Sequence, residues 1–268
     1  MDTDGSDIEN ISDPNRWDYA PDVRHDGKRI VFLSGGNNIY TMDLDGNNVT
    51  VIPGVPFDAG CPRWSRGEGG WFILFTAPAS QLHSSIYMID LDGSNLTQIT
   101  SPGTNQDDES LDSIDDKHII FSRYDRDDNH DRDLFIKYIW DDRPEVQLTN
   151  TPNQSETIPV VSHDSRYLAF RVSLGIGFDD QVHVARFTSA TSIEILNMID
   201  LDYPADVNIS GIDFSDDDSR LFVSTQASDV PGNLINAKQE IFSMNLDGSD
   251  QQRLTNNTDS DTWPSSVP

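Results

Sequence analysis

The sequence has very little cysteine and lysine. Cys61 is the single cysteine, so no disulfide can form within the chain, and we expect this residue to be a buried small hydrophobe. Four lysines stand against 39 aspartates and seven glutamates, and the formal net charge is −28 at pH 7. A field of that sign repels nucleic acid and anionic lipid and attracts cations. We therefore predict no nucleic-acid partner.

Long apolar runs are also missing. A stretch such as Trp71–Phe75 is far too short for a membrane-spanning helix, so we predict no membrane insertion. The first ten residues, MDTDGSDIEN, contain neither a basic region nor an apolar segment. No signal peptide is therefore visible in this chain.

Motifs for catalysis are absent from the sequence as well. It contains no Gly-x-Ser-x-Gly, which marks the nucleophile of α/β-hydrolases, and no His-Glu-x-x-His or Cys/His cluster for zinc. We predict no catalytic and no cofactor-binding residues, and thus a protein that is not an enzyme.

One phrase recurs three times in the chain. It comprises an apolar alternating segment, then Asp or Asn, Leu, Asp and Gly, then a second short segment, which in two copies closes in Ile99-Thr100 or Leu254-Thr255. The three copies are centred on Gly46, Gly93 and Gly248. Asp and Gly tolerate the positive φ of tight hairpin turns, so each copy predicts a β-hairpin.

A second phrase, also strand, turn and strand, alternates with the first. Pro21 to Gly27 leads into Ile30–Ser34, and Pro159 to Ser165 leads into Leu168–Phe170. Its aligned first-strand positions recur every 41 to 53 residues: Pro21, Pro62, Ser110, Pro159, Ile212 and Pro264. A period of this length with four strands, A to D, is typical of propeller blades. The predicted fold class is all-β, a β-propeller of four-stranded blades.

The repeats divide one predicted domain, 1–268, into five complete units with a partial unit at each end. The units are 1–12 (partial), 13–54, 55–101, 102–150, 151–199, 200–256 and 257–268 (partial). Units three and four lack the Asp-Gly hairpin. Two explanations of the partial ends stay open: a fragment of a larger, six-bladed propeller, or a five-bladed ring with the end strands packed outside it.

Both phrases resemble the repeat of TolB-like, WD40-like (PD40) β-propellers, and Ile39–Gly46 carries the resemblance best. His25 and His163 depart from it, since that family usually has proline there. The resemblance implies a six-bladed full-length architecture, a periplasmic or extracellular location and a non-catalytic scaffold for protein–protein interaction. Related blades also occur in larger enzymes. The alternatives are therefore the propeller portion of a prolyl-oligopeptidase-like peptidase, or a carbohydrate-active propeller.

Calcium is the one candidate cofactor. Asp125, Asp127, Asn129 and Asp131 place side-chain oxygens at alternate positions, as at the start of an EF-hand loop. His130 replaces the glycine of such a loop, and Ile136 stands where its bidentate glutamate belongs. A solvated acidic loop is the competing interpretation. The acidic run 107–109 is a weaker candidate.

The connections between strands B and C are predicted to be long in units two to five: 77–85, 123–133, 173–180 and 226–239. Long loops on a rigid scaffold commonly carry function. We expect this face to bind a protein or peptide segment, cationic in character, and the chain itself to be a monomer. Trp17, Trp64 and Trp263 are expected to pack between neighbouring blades.

Overall fold

The computed structural model describes residues 5–6, 9–67, 70–80, 83–127, 131–175, 180–201, 208–227, 238–256 and 259–266. Within these ranges the chain forms twenty β-strands and no helix. The all-β prediction is therefore confirmed. In this part of the chain, no helix has the length and apolar character that spanning a bilayer requires.

The chain divides into two compact halves. The first half is Ile11–Pro152, and it contains three repeats of four strands. Each repeat is an antiparallel ladder in chain order. The strands are β1 Asp18–Val23, β2 Arg29–Ser34, β3 Asn38–Asp43 and β4 Thr50–Val51; β5 Gly60–Trp64, β6 Phe72–Ser80, β7 His83–Asp90 and β8 Thr97–Gln98; and β9 Gln106–Ser113, β10 His118–Asp125, β11 Arg132–Tyr138 and β12 Val146–Gln147.

The second half is Asn153–Ser266 together with the described part of Met1–Asn10. It contains the fourth and fifth repeats, again with four antiparallel strands in chain order. The strands are β13 Ser155–Val161, β14 Tyr167–Ser173, β15 Gln181–Ser189 and β16 Ser192–Asp200; and β17 Ile209–Phe214, β18 Arg220–Ala227, β19 Lys238–Asn245 and β20 Gln252–Arg253.

Four of the five repeats have an aromatic contact between strands B and C. A fully buried phenylalanine in strand B lies opposite an aromatic ring in strand C in four repeats, with ring centroids 5.5–5.9 Å apart. The pairs are Phe32 with Tyr40, Phe75 with Tyr87, Phe121 with Phe135 and Phe170 with His183. Cross-strand aromatic pairs stabilise a sheet beyond the area they bury.

An Ile-Thr or Leu-Thr dipeptide closes strand D onto strand C in repeats two, three and five. The threonine hydroxyl accepts a hydrogen bond from a strand C amide, and the preceding residue's amide donates to the carbonyl of that same strand C residue. The amide-to-hydroxyl bonds, at 2.8–2.9 Å, are Ile86 to Thr100, Leu134 to Thr149 and Ile241 to Thr255. A side chain thus completes the ladder where strand D ends.

A β-bulge interrupts strand A in all five repeats, and it explains the recurrent proline. The pairing register shifts at residues 20–21, 61–62, 109–110, 158–159 and 210. Ala20, Cys61 and Ile158 adopt φ of 46° to 52° immediately before a proline. Proline is tolerated at a bulge because the ladder needs no donor there. Cys61 is half-buried at its bulge, and burial raises the pKa of its thiol.

The predicted Asp-Gly hairpins are confirmed at all three copies. Gly46, Gly93 and Gly248 have φ of 79°, 84° and 82°. In the first of these turns the Asp45 carboxylate accepts the amide of Asn47 at 3.0 Å, and the bonds from Asn47 hold the pKa of Asp45 below its ordinary value. The glycines also face the preceding repeat, since a Cβ on Gly93 would lie 2.5 Å from the Pro53 carbonyl oxygen.

Comparing two glycines distinguishes a position that requires glycine for its backbone conformation alone from one that also requires it for close packing. Gly36 has a φ of 85°, like Gly93, but nothing lies within 4 Å of its Cβ position. We expect Gly36→Ala to cost about 1–2 kcal/mol for the left-handed backbone alone. Gly93→Ala adds a backbone clash, so urea unfolding should show a clearly larger loss. Equal losses would mean that the turn of repeat two does not pack on Pro53.

In each half, an aspartate of strand A bonds a backbone amide of a neighbouring segment. In the first half, the Asp22 carboxylate accepts the Trp64 amide at 2.7 Å. In the second half, Asp213 accepts the Ser266 amide at 2.6 Å. A Cβ on Gly5 would lie 2.5 Å from the Leu254 carbonyl oxygen, which matches the approach of Gly93 to Pro53. The described terminal segments therefore make, on repeat five, the contacts that a following repeat makes.

Candidate functional site

The hairpins of strands B and C run further than the sequence predicts. Ala77 pairs with Ser85, Arg123 with Asp133 and Gln226 with Gln239, so three of the four predicted long connections consist partly of strand. The prediction treated charged residues as loop residues. Contacts with neighbouring strands instead keep such residues in the sheet. Arg132, for example, stacks 4.3 Å above the Tyr124 ring and bonds Glu109 at 2.8 Å.

We define the B–C edge as the edge of the first half where β1, β5 and β9 begin and where β2 turns into β3, β6 into β7 and β10 into β11. Polar contacts tie the repeats together there. The Ser84 amide donates to Asp107 at 3.0 Å, and the Ser84 hydroxyl donates to the Asp108 carbonyl at 2.9 Å. These bonds join repeats two and three along the edge.

The acidic run 107–109 lies in β9 and is paired with arginines. Asp107 contacts Arg126, and Glu109 contacts Arg132. Asp108, with no exposed surface, receives two bonds from Arg123, at 2.6 and 3.0 Å. These three carboxylates therefore serve the packing of the repeat, and the calcium interpretation of this run loses its support.

Arg123 is the centre of a buried charge cluster. Its guanidinium packs against the stacked rings of Phe121 and Phe135, 5.3 and 4.9 Å from their centroids, and its third nitrogen bonds Glu145 at 2.8 Å. Desolvation raises the pKa of Asp108, and the bonds from Arg123 oppose that shift. Desolvation also works against the Arg123 charge, but its bonds to Asp108 and Glu145 raise its pKa.

Three of the four predicted calcium ligands lie in the described part of the chain. Asp125 accepts the Gln106 side-chain amide at 2.7 Å, and Asp127 accepts the Asn105 side-chain amide at 2.9 and 3.0 Å. The Asp131 carbonyl accepts the Asp125 amide at 3.2 Å. Asn129 lies outside the described residues. Among those that are described, no three His, Cys, Asp or Glu side chains form a group suited to a metal ion, so the calcium site stays a prediction.

Thermal unfolding with and without calcium tests that site. If these oxygens bind calcium, about 5 mM CaCl2 should raise the stability by about 1 kcal/mol, since an ion that binds only the folded state stabilises it by mass action. Asp127→Asn should remove the shift, whereas Asp92→Asn, in a turn of the opposite edge, should keep it. An equal calcium response in both variants would refute the site.

Two large aromatic side chains of the first half are almost fully exposed. Trp17 keeps 84% of its surface and Phe57 keeps 86%. Hydrogen bonds between their neighbours in the sequence place both on the B–C edge. Tyr19, two residues after Trp17, bonds Asn37, and the Asn37 side chain donates to Asp58, the residue after Phe57, at 2.5 Å. The expected inter-blade packing is confirmed for Trp64, which is 3% exposed, and is wrong for Trp17. Sequence alone gives no sign of this, because exposure depends on where β1 begins.

A Ser–His–Asp line occurs in the second half, although the sequence has no serine hydrolase motif. His163 bonds Asp218 at 2.9 Å through Nδ1, and its Nε2 lies 3.4 Å from the Ser266 hydroxyl. That hydroxyl donates to the Phe214 carbonyl at 2.6 Å, so its proton is not directed at the imidazole. Asp218 also accepts the His163 and Asp164 amides. The line therefore clamps the turn at His163 to its neighbours.

No protein-family model matches the sequence, and no curated protein matches it either. Solved structures do match. TolB from Acinetobacter baumannii superposes with a TM-score of 0.70 at 21% identity, over 98% of this chain and 60% of that one. The chain has a TolB-like β-propeller fold. It spans less than two thirds of that TolB protein, and the match shows the fold alone.

Two further structures support the same fold. A protein assigned as TolB in Agrobacterium tumefaciens gives a TM-score of 0.66 at 20% identity, over 91% of this chain and 83% of that one. A puromycin-hydrolyzing peptidase from Mycobacterium tuberculosis gives 0.62 at 9% identity, over 90% of this chain and 37% of that one. TolB-like blades thus occur both in TolB proteins and as part of a larger enzyme. Membership of the PD40 repeat family stays a prediction.

Proposed function

We propose that this TolB-like propeller is a non-catalytic scaffold that binds a protein partner through the B–C edge of its first half. One observation carries the proposal: Trp17 and Phe57 stand almost fully exposed on the same edge, beside Asp58. Large exposed aromatic groups on a rigid scaffold mark protein interaction sites, where tryptophan often supplies much of the binding energy.

The charge of the edge defines the chemistry of the partner. Asp58, Asp125 and Asp127 lie along it, in a chain whose net charge is −28. A segment that carries lysine or arginine beside apolar residues would complement both the carboxylates and the two aromatic groups. By its resemblance to TolB proteins, we propose that the protein works in the periplasm.

A site-specific photo-crosslinker tests this binding surface. We expect a crosslinking residue at position 57 to capture a partner from extracts of the source organism, and 0.5 M NaCl to reduce the yield because salt screens a cationic segment. The matched control is position 92, exposed in a turn of the opposite edge. Equal adducts from both positions, or none from position 57, would reject the proposal.

A second candidate function is the propeller portion of a peptidase, and the likeness to the Mycobacterium peptidase favours it. That likeness covers 37% of the peptidase, so blades like these can form a minor part of a hydrolytic protein. The complete reading frame decides between the two: a hydrolase domain joined to these repeats would support the peptidase and count against the scaffold.

A further inference from the structure

An acceptor triplet for N-linked glycans recurs along the chain. The triplet is asparagine, any residue except proline, and then serine or threonine, and it marks surface asparagines that can carry a glycan in exported proteins. It occurs six times, and all six asparagines are exposed and lie outside the strands. They are Asn10, Asn48, Asn95, Asn153, Asn208 and Asn256.

Two of the triplets occupy the same place in successive repeats. Asn48 and Asn95 follow the Asp-Gly turns between strands C and D of repeats one and two, with φ of 53° and 56°. Each asparagine side chain donates from Nδ2 to the aspartate that ends strand C, Asp43 at 2.6 Å and Asp90 at 2.7 Å. Both acceptor nitrogens are therefore held in the same way, at the edge opposite the B–C edge.

The turn itself does not require the triplet. The Asp-Gly hairpin at Gly248 has aspartate at the equivalent position, Asp250, with a φ of 53°, and Gln252 where the other two hairpins have threonine. Strand D still pairs with strand C there, at Gln252 and Arg253. Because neither the asparagine amide nor the threonine hydroxyl is needed to close the hairpin, the fold alone does not account for the triplet in repeats one and two.

The middle residue of the triplet differs between the hairpins in the same way. It is apolar and exposed in both acceptor hairpins, where Val49 keeps 39% of its surface and Leu96 keeps 43%. The hairpin without the triplet has Gln251 at that position. A sugar attached to the preceding asparagine can cover this side chain, and removing apolar surface from water is favourable. Exposed apolar residues thus occur where a glycan would shield them.

We propose that Asn48 and Asn95 carry N-linked glycans. The inference rests on the proposed periplasmic location, because it is exported proteins that carry this modification. In the transfer, Nδ2 attacks the anomeric carbon of a donor sugar that is linked through oxygen to a diphosphate group. The nitrogen–carbon bond forms, the carbon–oxygen bond breaks with its electron pair going to the departing diphosphate, and Nδ2 loses one proton. Nothing is oxidised or reduced.

The folded turn accepts this product without losing a bond. Asparagine Nδ2 has two hydrogens, and one of them suffices for the bond to Asp43 or Asp90. The glycan replaces the other hydrogen. Residues 47–51 and 94–98 are all exposed, which leaves room for a sugar chain. Glycans at these two turns also leave the B–C edge open for the proposed protein partner.

Peptide masses of the full chain, purified from the source organism, test for the glycans. Trypsin cuts after lysine and arginine, and peptides 30–63 and 67–117 each contain a single acceptor triplet. Both should be heavier than their sequences by the same glycan mass. Peptide 221–238, with two asparagines but no triplet, should show no added mass. Sequence masses for both triplet peptides would reject the glycans wherever the protein is recovered, whereas recovery from the cytoplasm alone would reject the periplasmic location.

Two substitutions of Thr50, made in the source organism, separate the triplet from the structure of the turn. Thr50→Ser keeps the triplet and should keep the added mass on peptide 30–63. Thr50→Val removes the triplet, so this peptide should return to its sequence mass, although valine is β-branched like threonine and equally suited to the exposed strand β4. Peptide 67–117 is the internal control and should stay glycosylated in both variants. Added mass that persists in Thr50→Val, or is lost in Thr50→Ser, would overturn the assignment.

Discussion

Replacing Arg123 by alanine is expected to lower the free energy of unfolding by about 3–5 kcal/mol, because it leaves a buried charge without its partner. Asp108 has no exposed surface, and Arg123 supplies two of its hydrogen bonds. The change also removes a cation packed against the rings of Phe121 and Phe135. Urea unfolding at pH 7 measures the loss.

Two comparisons show whether burial is the cause. Arg186 pairs with Glu194 at the surface, with side chains 55% and 51% exposed, so Arg186→Ala should cost less than about 1 kcal/mol. The double variant Asp108→Leu/Arg123→Met removes both charges and should be more stable than Arg123→Ala. If Arg123→Ala were no more harmful than Arg186→Ala, the buried cluster at the B–C edge would be misassigned.

Replacing Asp22 by asparagine is expected to stabilise the protein at neutral pH. Desolvation raises the pKa of Asp22 to about 6, although Arg63 and Arg66 lower it and the Trp64 amide donates to it. The nearby Asp112 raises it further. The folded state therefore keeps this proton more tightly than the unfolded state, whose carboxyl titrates near 3.8.

The sign of the pH effect follows from that difference. Stability from neutral Asp22 is fully present below the unfolded pKa and is lost as the pH rises through about 6. Asparagine is neutral throughout. The stability difference between Asp22→Asn and the natural chain should be near zero at pH 4 and reach about 1–3 kcal/mol at pH 7.5, at 1.4 kcal/mol for each pKa unit.

The matched control for this prediction is an aspartate shifted the other way. Hydrogen bonds from Asn47 lower the pKa of Asp45, so Asp45→Asn should give no stabilisation at pH 7.5. Urea unfolding of both variants at the two pH values gives the comparison. A less stable Asp22→Asn at pH 7.5 would show that the ionised carboxylate is favoured at this inter-repeat contact.

The hairpins were predictable because their chemistry is local. An Asp-Gly turn needs only the residues around Gly93 or Gly248, and the closing threonine lies a few positions further on. β16 was missed as a long strand because repeat four lacks the Asp-Gly phrase that marked the hairpins of repeats one, two and five. Its residues alternate in burial at Asn197, Met198 and Ile199, but the turn that reverses the chain before them has no such signature.

The candidate site was predictable only in its place along the chain. The stretch around Asp125 does lie at the B–C edge, as the order of strands required. The pairing of Asp108 with Arg123, 15 residues apart, depends on the register of β9 against β10, which a bulge shifts. The exposure of Trp17 depends on the same kind of tertiary detail. The sequence does not show that detail, and packing between neighbouring blades was therefore expected.

Hydrogen exchange tests most directly the central claim that each sequence repeat closes into one four-stranded sheet. The amides of Ile86, Leu134 and Ile241 donate to the closing threonines of three separate repeats. We expect all three to exchange only when their sheets open, far more slowly than the amide of Leu96, a 43% exposed residue outside the strands. Exchange of any of them at the rate of Leu96 would contradict the closed sheet in that repeat.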